Sequence, residues 1–227
     1  MPVVEIDKCK VRLGKRGTGE ASQPTFLLDR LEVDRAEAVA LTGPSGCGKT
    51  TLLNLVAALL KPDSGRIEVA GVRVDELAAA EGDRFRRENL GFVYQTFNLL
   101  APFTALQNVL IGMRFGRGVP PHLRTSRAVG LMERVGLSHR LSHRPDQLSV
   151  GEQQRVAIAR ALGSKPPILL ADEPTANLDP VASRAVTELL LSLWREISCT
   201  LLIVTHDPII ASMLPRSFDC SDLLRQE

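Results

Sequence analysis

The sequence predicts an α/β fold: a mostly parallel sheet with an N-terminal antiparallel β part and a helical segment inserted between its halves. Three observations carry this expectation. A Gly-rich segment, GPSGCGKT at 43–50, lies between an apolar strand and a helical run. Two further apolar runs, ILLAD at 168–172 and TLLIV at 200–204, show no polar/apolar alternation. Strands of a parallel sheet covered on both faces read that way. Between about 97 and 150 the strand signals give way to helical ones, so the α/β alternation is interrupted and then resumes.

Taken in order, VVEIDKCKVRL at 3–13 alternates enough for a strand, and GKRGTGEASQP at 14–24 is a loop by its Gly, Ser and Pro content. TFLLDRLEV and EAVALTG are the next strands. A helical run over 50–60 should stop at Lys61-Pro62, because the residue before Pro is biased away from helix. SGRIEVAGVRV at 64–74 reads as two short strands turning at Ala70-Gly71. LGFVYQ at 90–95 is expected as a buried strand. TALQNVLIGM and SRAVGLMERVG are expected helices, separated by the Gly/Pro-rich GRGVPPHL. An amphipathic helix is expected over 180–197, between the apolar strands of PPILLADEP and CTLLIVTHD. The whole chain reads as a single domain, 1–227. Its core is formed by 1–96 and 151–227, with 97–150 as the inserted helical subdomain.

The 227 residues carry a net charge of +2, which gives no reason to expect a nucleic-acid partner. Seven arginines between 111 and 147 (Arg114, Arg117, Arg124, Arg127, Arg134, Arg140, Arg144) face only Glu133 and Asp146. They read as a solvated basic face or a surface for anionic lipid or an acidic partner. Cys9, Cys47, Cys199 and Cys220 form no close pair and read as free thiols of a reducing compartment. No signal peptide is recognised at the N-terminus, and the longest apolar stretch, TLLNLVAALL, is too short to span a bilayer.

GPSGCGKT matches the phosphate-loop pattern G-x-x-x-x-G-K-[ST] in strand-loop-helix context. Its glycines let backbone N–H groups close around phosphates, and the helix that follows adds the positive end of its dipole. Lys49 is then the ligand of the outer phosphates, and the Thr50 hydroxyl is placed for Mg²⁺. Asp172, at the end of an apolar strand, is the matching Mg²⁺ carboxylate. Glu173 beside it is the candidate base for an attacking water. His206 closes another strand on the same edge and can meet the terminal phosphate. Gln95, at the junction of core and insertion, is a candidate to sense the metal or the water.

These motifs, with LSVG at 148–151, LLADEP at 169–174 and NLD at 177–179, come in the order found in one family. The chain resembles the nucleotide-binding subunit of an ATP-binding cassette (ABC) transporter, over about 1–215. The resemblance implies ATP and Mg²⁺ as cofactors and ATP hydrolysis as the activity. It implies a head-to-tail homodimer and a separate membrane permease as partners. Nucleotide contacts then run from Gly43, Pro44, Ser45, Gly46, Cys47 and Gly48 through Lys49, Thr50 and Thr51. Ser149, Gly151, Glu152 and Asp179 would act across the dimer interface. Catalytic roles fall to Glu173, His206 and Gln95, and metal contacts to Thr50, Gln95 and Asp172. YQTFNLLAPFTALQNV at 94–109 is similar to subunits of the lipoprotein-release and macrolide-export type. That implies a cytoplasmic protein held on the inner membrane by its permease. FNLLAPF at 97–103, several large apolar residues beside a Pro turn and costly to leave in water, is either the docking stretch for that permease or packing inside the helical insertion.

Two positions depart from the family pattern. Val150 stands where the signature usually has Gly, and an ordinary helix-start conformation is expected there. Leu13 stands where an aromatic often stacks on adenine, which leaves Leu13 itself or Phe26, a weak substitute, as the contact to the base. The alternative function is a soluble ABC ATPase not coupled to transport. The DNA-associated kind carries long coiled-coil insertions, for which 97–150 is too short. The translation-associated kind carries two cassettes in one chain.

Overall fold

In the computed structural model, described for residues 2–14, 24–114, 116 and 118–226, two five-stranded sheets enclose the first core. Strand β1 (Pro2–Arg12) pairs antiparallel with β2 (Pro24–Asp34) through most of its length. β3 (Ala38–Thr42) leads into the phosphate loop and α1 (Lys49–Val56). β4 (Ser64–Val69) and β5 (Val72–Arg73) form a hairpin. Its turn residues Ala70 and Gly71 have φ of 52° and 78°, the two left-handed positions of a tight type I′ turn. Then follow α2 (Ala79–Asn89), β6 (Leu90–Val93), α3 (Ala105–Arg114), α4 (Arg124–Arg134) and α5 (Val150–Leu162). The chain continues through β7 (Ile168–Asp172), α6 (Pro180–Ile197), β8 (Thr200–Val204), α7 (Pro208–Ser212), β9 (Arg216–Asp219) and β10 (Leu224–Gln226).

The antiparallel sheet has the order β10-β2-β1-β4-β5, and the parallel sheet β6-β7-β8-β3-β9. The three central parallel strands bury alternate residues in two separate cores. Val39, Leu41, Ile168, Leu170, Leu202 and Val204 join α1 and the antiparallel sheet. Ala38, Ala40, Leu169, Ala171, Leu201 and Ile203 join α3, α4, α5 and α6. This double burial is why their sequences lack alternation. Asp179 caps α6 by accepting from Val181 N–H and Ala182 N–H, both at 3.0 Å.

Several expectations need correction. The first helix ends at Val56 rather than near Leu60. Ala58 takes φ +52°, and Arg86 donates to the Ala57 and Ala58 carbonyls at 3.3 and 2.6 Å, so the helix end is capped from α2. β6 stops at Val93 and is an edge strand, buried only at alternate positions. Helix α2 gave no sequence signal, because only Gly82 and Phe85 are buried on it and no apolar stripe exists to be read. The arginine run is largely engaged inside the chain. Arg127 donates to the Gly163 and Leu162 carbonyls at 2.7 and 2.9 Å, closing the end of α5. Arg134 pairs with Glu196, and Arg140 with Glu152. Arg117 lies outside the described residues. Arg114, Arg134 and Arg144 remain exposed to solvent.

Candidate functional site

The C-terminal ends of β3, β7 and β8 open into one cleft, with a cavity of about 570 Å³. From the phosphate loop it is lined by Ser45, Gly46, Gly48, Lys49, Thr50 and Thr51. Gly48 is the N-cap of α1 with φ +108°, a conformation that side chains rarely adopt, and it turns the loop into the helix. Gly43 and Gly46 also lie at positive φ, 136° and 79°. Lys49 is buried, and its Nζ donates to the Gly43 and Pro44 carbonyls at 2.8 and 2.7 Å. The ammonium thus spans its own loop, holding the ring of amides in shape. Gly43 and Pro44 line a neighbouring cavity rather than the cleft. The Cys47 side chain is buried inside the loop, its Sγ 3.8 Å from Lys49 Nζ.

Thr50 and Asp172 meet across the cleft. The Thr50 hydroxyl donates to the Asp172 carboxylate, 3.2 Å from Oδ2. Burial pushes the Asp172 carboxyl above its ordinary range, while the Thr50 hydroxyl holds it down. Gln95 lies beyond β6 and also lines the cleft, and its carbonyl accepts from Asn177 Nδ2 at 2.9 Å. Thr50, Asp172 and Gln95 are hard oxygen donors, the set that suits Mg²⁺ held by few protein ligands together with phosphate oxygens.

Glu173 follows β7 with φ +47°, an uncommon conformation for a residue with a side chain. Such strain costs roughly 1–3 kcal/mol and collects at functional sites. Its N–H donates to the Val204 carbonyl at 3.1 Å, and its carboxylate faces His206 Nδ1 at 2.8 and 2.9 Å. A ring N–H donated to both oxygens orients the carboxylate and keeps it an acceptor. The arrangement can hold a polyphosphate, place a cation at it and take a proton from a water.

Ser149, Gly151, Glu152 and Asp179 lie outside this cleft in the same chain. Ser149 is the N-cap of α5: its Oγ accepts from Glu152 N–H at 3.3 Å, and Glu152 accepts from Ser149 N–H at 2.8 Å. This reciprocal pair is a capping box. It lowers the Glu152 carboxyl below its usual range, the Ser149 N–H being the largest cause. Val150 is the first residue of α5, with ordinary negative φ and 44% exposure, so the β-branched side chain is unstrained. A Cβ at Gly151 would meet nothing within 4 Å.

Phe26 cannot stack on a base: it is fully buried, packed under Gly48, whose added Cβ would lie 3.1 Å from its ring. Leu13 packs against the first core and does not line the cleft. Sequence reasoning missed Leu224, which reaches the cleft from β10. A three-residue strand near the end of the chain offers no periodicity to find it. The four cysteines are free and buried, and burial pushes the Cys9 and Cys220 thiols up to about 12 and Cys199 to about 11.

A family model described as ABC transporter matches residues 29–176. The chain is 46% identical over 186 residues to a lipoprotein-releasing system ATP-binding protein LolD of Shewanella oneidensis, covering 82% of this chain and 80% of the relative. It is 45% identical over 206 residues to a LolD of Xanthomonas campestris pv. campestris, covering 90% and 86%. Among solved structures, the ATP-binding cassette MJ0796, a dimer in a post-hydrolysis state with ADP and Pi, superposes with a TM-score of 0.81. It is 34% identical, and 98% of each chain is covered. CbiO1 of Clostridium perfringens, part of the transporter complex cbiONQ, gives 0.83 at 26% identity, covering 99% of this chain and 88% of that one.

Proposed function

The chain belongs to the ABC transporter family, and from that premise we propose that it is the ATP-hydrolysing motor of a lipoprotein-releasing type of transporter. ATP binding and hydrolysis, coupled to a membrane permease, are the activity of this family's cassettes. The alternative of an ATPase uncoupled from transport is not favoured by relatives that are themselves named as parts of a releasing system.

The observation that carries the site assignment is the convergence of Lys49, Thr50, Asp172, Glu173 and His206 on one cleft. The phosphate loop binds the triphosphate through its amides and Lys49. Thr50, Asp172 and Gln95 would hold Mg²⁺, which when bound neutralises charge on the phosphate oxygens. Glu173, oriented by His206, takes the proton of the attacking water. Gly48, Thr51, Ser45 and Gly46 close the loop around the phosphates, and Cys47 contributes its backbone alone.

We read the second half of the site as belonging to another copy of the chain. Ser149 and Gly151 stand at the N-terminus of α5, where Ser149 is exposed and neither residue lines the cleft of its own chain. Among the described residues nothing requires the glycine at 151, since a Cβ there would meet no atom within 4 Å. It leaves a bare N–H at the positive end of α5 for a group that arrives from outside. A head-to-tail dimer supplies that group as the partner's terminal phosphate. The dimeric cassette MJ0796 supports this reading. Glu152 keeps Ser149 in place, and Asp179 fixes the start of α6 beside the same face.

No helix among the described residues is long and apolar enough to cross a membrane. Attachment to the cytoplasmic face of the inner membrane would then come through the permease. Leu100 and Phe103 are 43% and 39% exposed in the stretch between β6 and α3, and are presented to it. In this reading the segment 97–150 is the subdomain that carries the signature toward the partner, although α3 and α4 share the second core with the parallel sheet. The test is co-purification from membranes followed by reconstitution. ATP-dependent release of a lipid-anchored substrate by the complex, abolished by Lys49→Ala in this chain, is the expected result. A chain that hydrolyses ATP but never co-purifies with a membrane protein contradicts the motor role.

A further inference from the structure

The C-terminal segment 220–224 touches the phosphate loop at both ends. Cys220 N–H donates to the Thr42 carbonyl at 2.8 Å, just before the loop begins. An added Cβ at Gly43 would lie 3.3 Å from Ser221 N. At the other end, an added Cβ at Gly48 would lie 3.4 Å from Leu224 Cγ. Strand β10 is anchored for this by pairing with β2, Leu224 opposite Phe26, and by Leu27 N–H donating to the Leu223 carbonyl at 2.8 Å. Paired residues of antiparallel strands share a face. Phe26 lies fully buried under Gly48, while Leu224 is only half-buried and lines the cleft.

With the triphosphate on the loop amides, the nucleoside would extend along the rest of the same cleft, whose lining includes Thr51 and Leu224. Among the described residues no Phe, Tyr or Trp lines that cleft. The stretch 15–23, KRGTGEASQ, contains no aromatic residue either. Leu224 is an apolar side chain left partly exposed at that point.

We propose that Leu224 is a nucleotide-binding residue, whose side chain forms the apolar wall against which the sugar and base of the nucleoside triphosphate pack. This rests on the phosphate-loop reading and goes beyond it by naming a contact from the C-terminal strand. An isobutyl group offers dispersion and burial but no donor or acceptor. It therefore favours a nucleoside over bare polyphosphate without distinguishing adenine from guanine.

The experiment compares binding of ATP, GTP and inorganic tripolyphosphate by calorimetry, in wild type and Leu224→Ala. Wild type should bind ATP and GTP within about threefold of each other. The variant should weaken both by about three- to tenfold, the loss expected for removing a few partly buried methyl(ene) groups, and leave tripolyphosphate unchanged. Unchanged ATP affinity overturns the proposal. An equal loss for tripolyphosphate also overturns it, because Leu224 would then only prop Gly48. Wild type that binds neither ATP nor tripolyphosphate overturns the phosphate-loop reading itself. A second measurement needs no variant. Photolabelling wild type with 2-azido-ATP should mark the tryptic peptide 217–225, and label confined to other peptides overturns the assignment.

Discussion

Replacing Ser149 with Ala and with Asp separates its two roles. In the folded chain Ser149 Oγ accepts from Glu152 N–H at 3.3 Å as the N-cap of α5. Ala removes that acceptor, and losing such a cap costs about 1 kcal/mol. The Glu152 half of the capping box, at 2.8 Å to Ser149 N–H, uses the backbone and survives in both variants. For a chain of 227 residues, 1 kcal/mol corresponds to a fall in Tm of about 2–4 °C. Asp is among the best N-caps, so Ser149→Asp should return most of that stability. Its carboxylate would nevertheless face the phosphate bound by the partner chain. Two like charges about 4 Å apart repel by about 4 kcal/mol at an effective dielectric of 20, of the order of a thousandfold in closing the dimer. Thermal denaturation, ATP binding and steady-state hydrolysis are measured on all three proteins. The expected order of Tm is wild type, then Asp, then Ala. All three bind ATP alike as monomers, and hydrolysis is lost most completely in Asp. An Asp variant that hydrolyses at the wild-type rate refutes the shared-site argument. An Ala variant with unchanged Tm refutes the capping argument.

Glu173→Gln should bind ATP with wild-type affinity, lose hydrolysis and accumulate as an ATP-bound dimer on size exclusion; retained turnover removes Glu173 from the proton-transfer role. Asp172→Asn should raise the Tm of the nucleotide-free protein at neutral pH. Burial holds the Asp172 pKa up in the folded state, so ionising it opposes folding at pH values above the raised pKa. That penalty fades as pH falls through it, and the advantage of Asn should shrink at acid pH. A Tm difference independent of pH would contradict the assignment. Phe26→Ala should cost about 3–5 kcal/mol as a cavity variant, while Phe26→Leu should keep ATP affinity within about twofold, because the ring supports Gly48 and touches no base. A selective loss of ATP over tripolyphosphate in Phe26→Leu would restore Phe26 to the base site.

How far the site could be read from sequence depended on how local each signal was. The phosphate loop needed only its own eight residues, since spacing fixes both the turn and the Lys–Thr pair. Asp172 and Glu173 are legible only beside the phosphate loop, because two acids after an apolar strand taken alone read as a helix N-terminal signal, and His206 is legible on the same condition, as the residue that closes the next strand. Val150 drew attention as a departure and then explained itself: a helix-start position accepts a β-branched residue without strain. What stayed hidden was tertiary. The sequence offers Phe26 to a base, but in the fold Gly48 lies on its ring and Phe26 is fully buried. Leu224 reaches the cleft only because β10 adds to the far edge of β2. Within the arginine run between 111 and 147, the sequence gives no sign that Arg127 closes a helix end 35 and 36 residues away. Helix α2 was invisible because its single large buried side chain, Phe85, gives no periodicity.

The central claim is that each chain holds two incomplete half-sites and that hydrolysis requires two chains. The most direct measurement is the ATPase rate as a function of protein concentration, with molar mass followed by light scattering under the same conditions. While dimers are scarce, the rate should rise with about the square of the protein concentration and become linear once the dimer dominates. Hydrolysis strictly proportional to concentration, in a species shown to remain monomeric, would contradict the account.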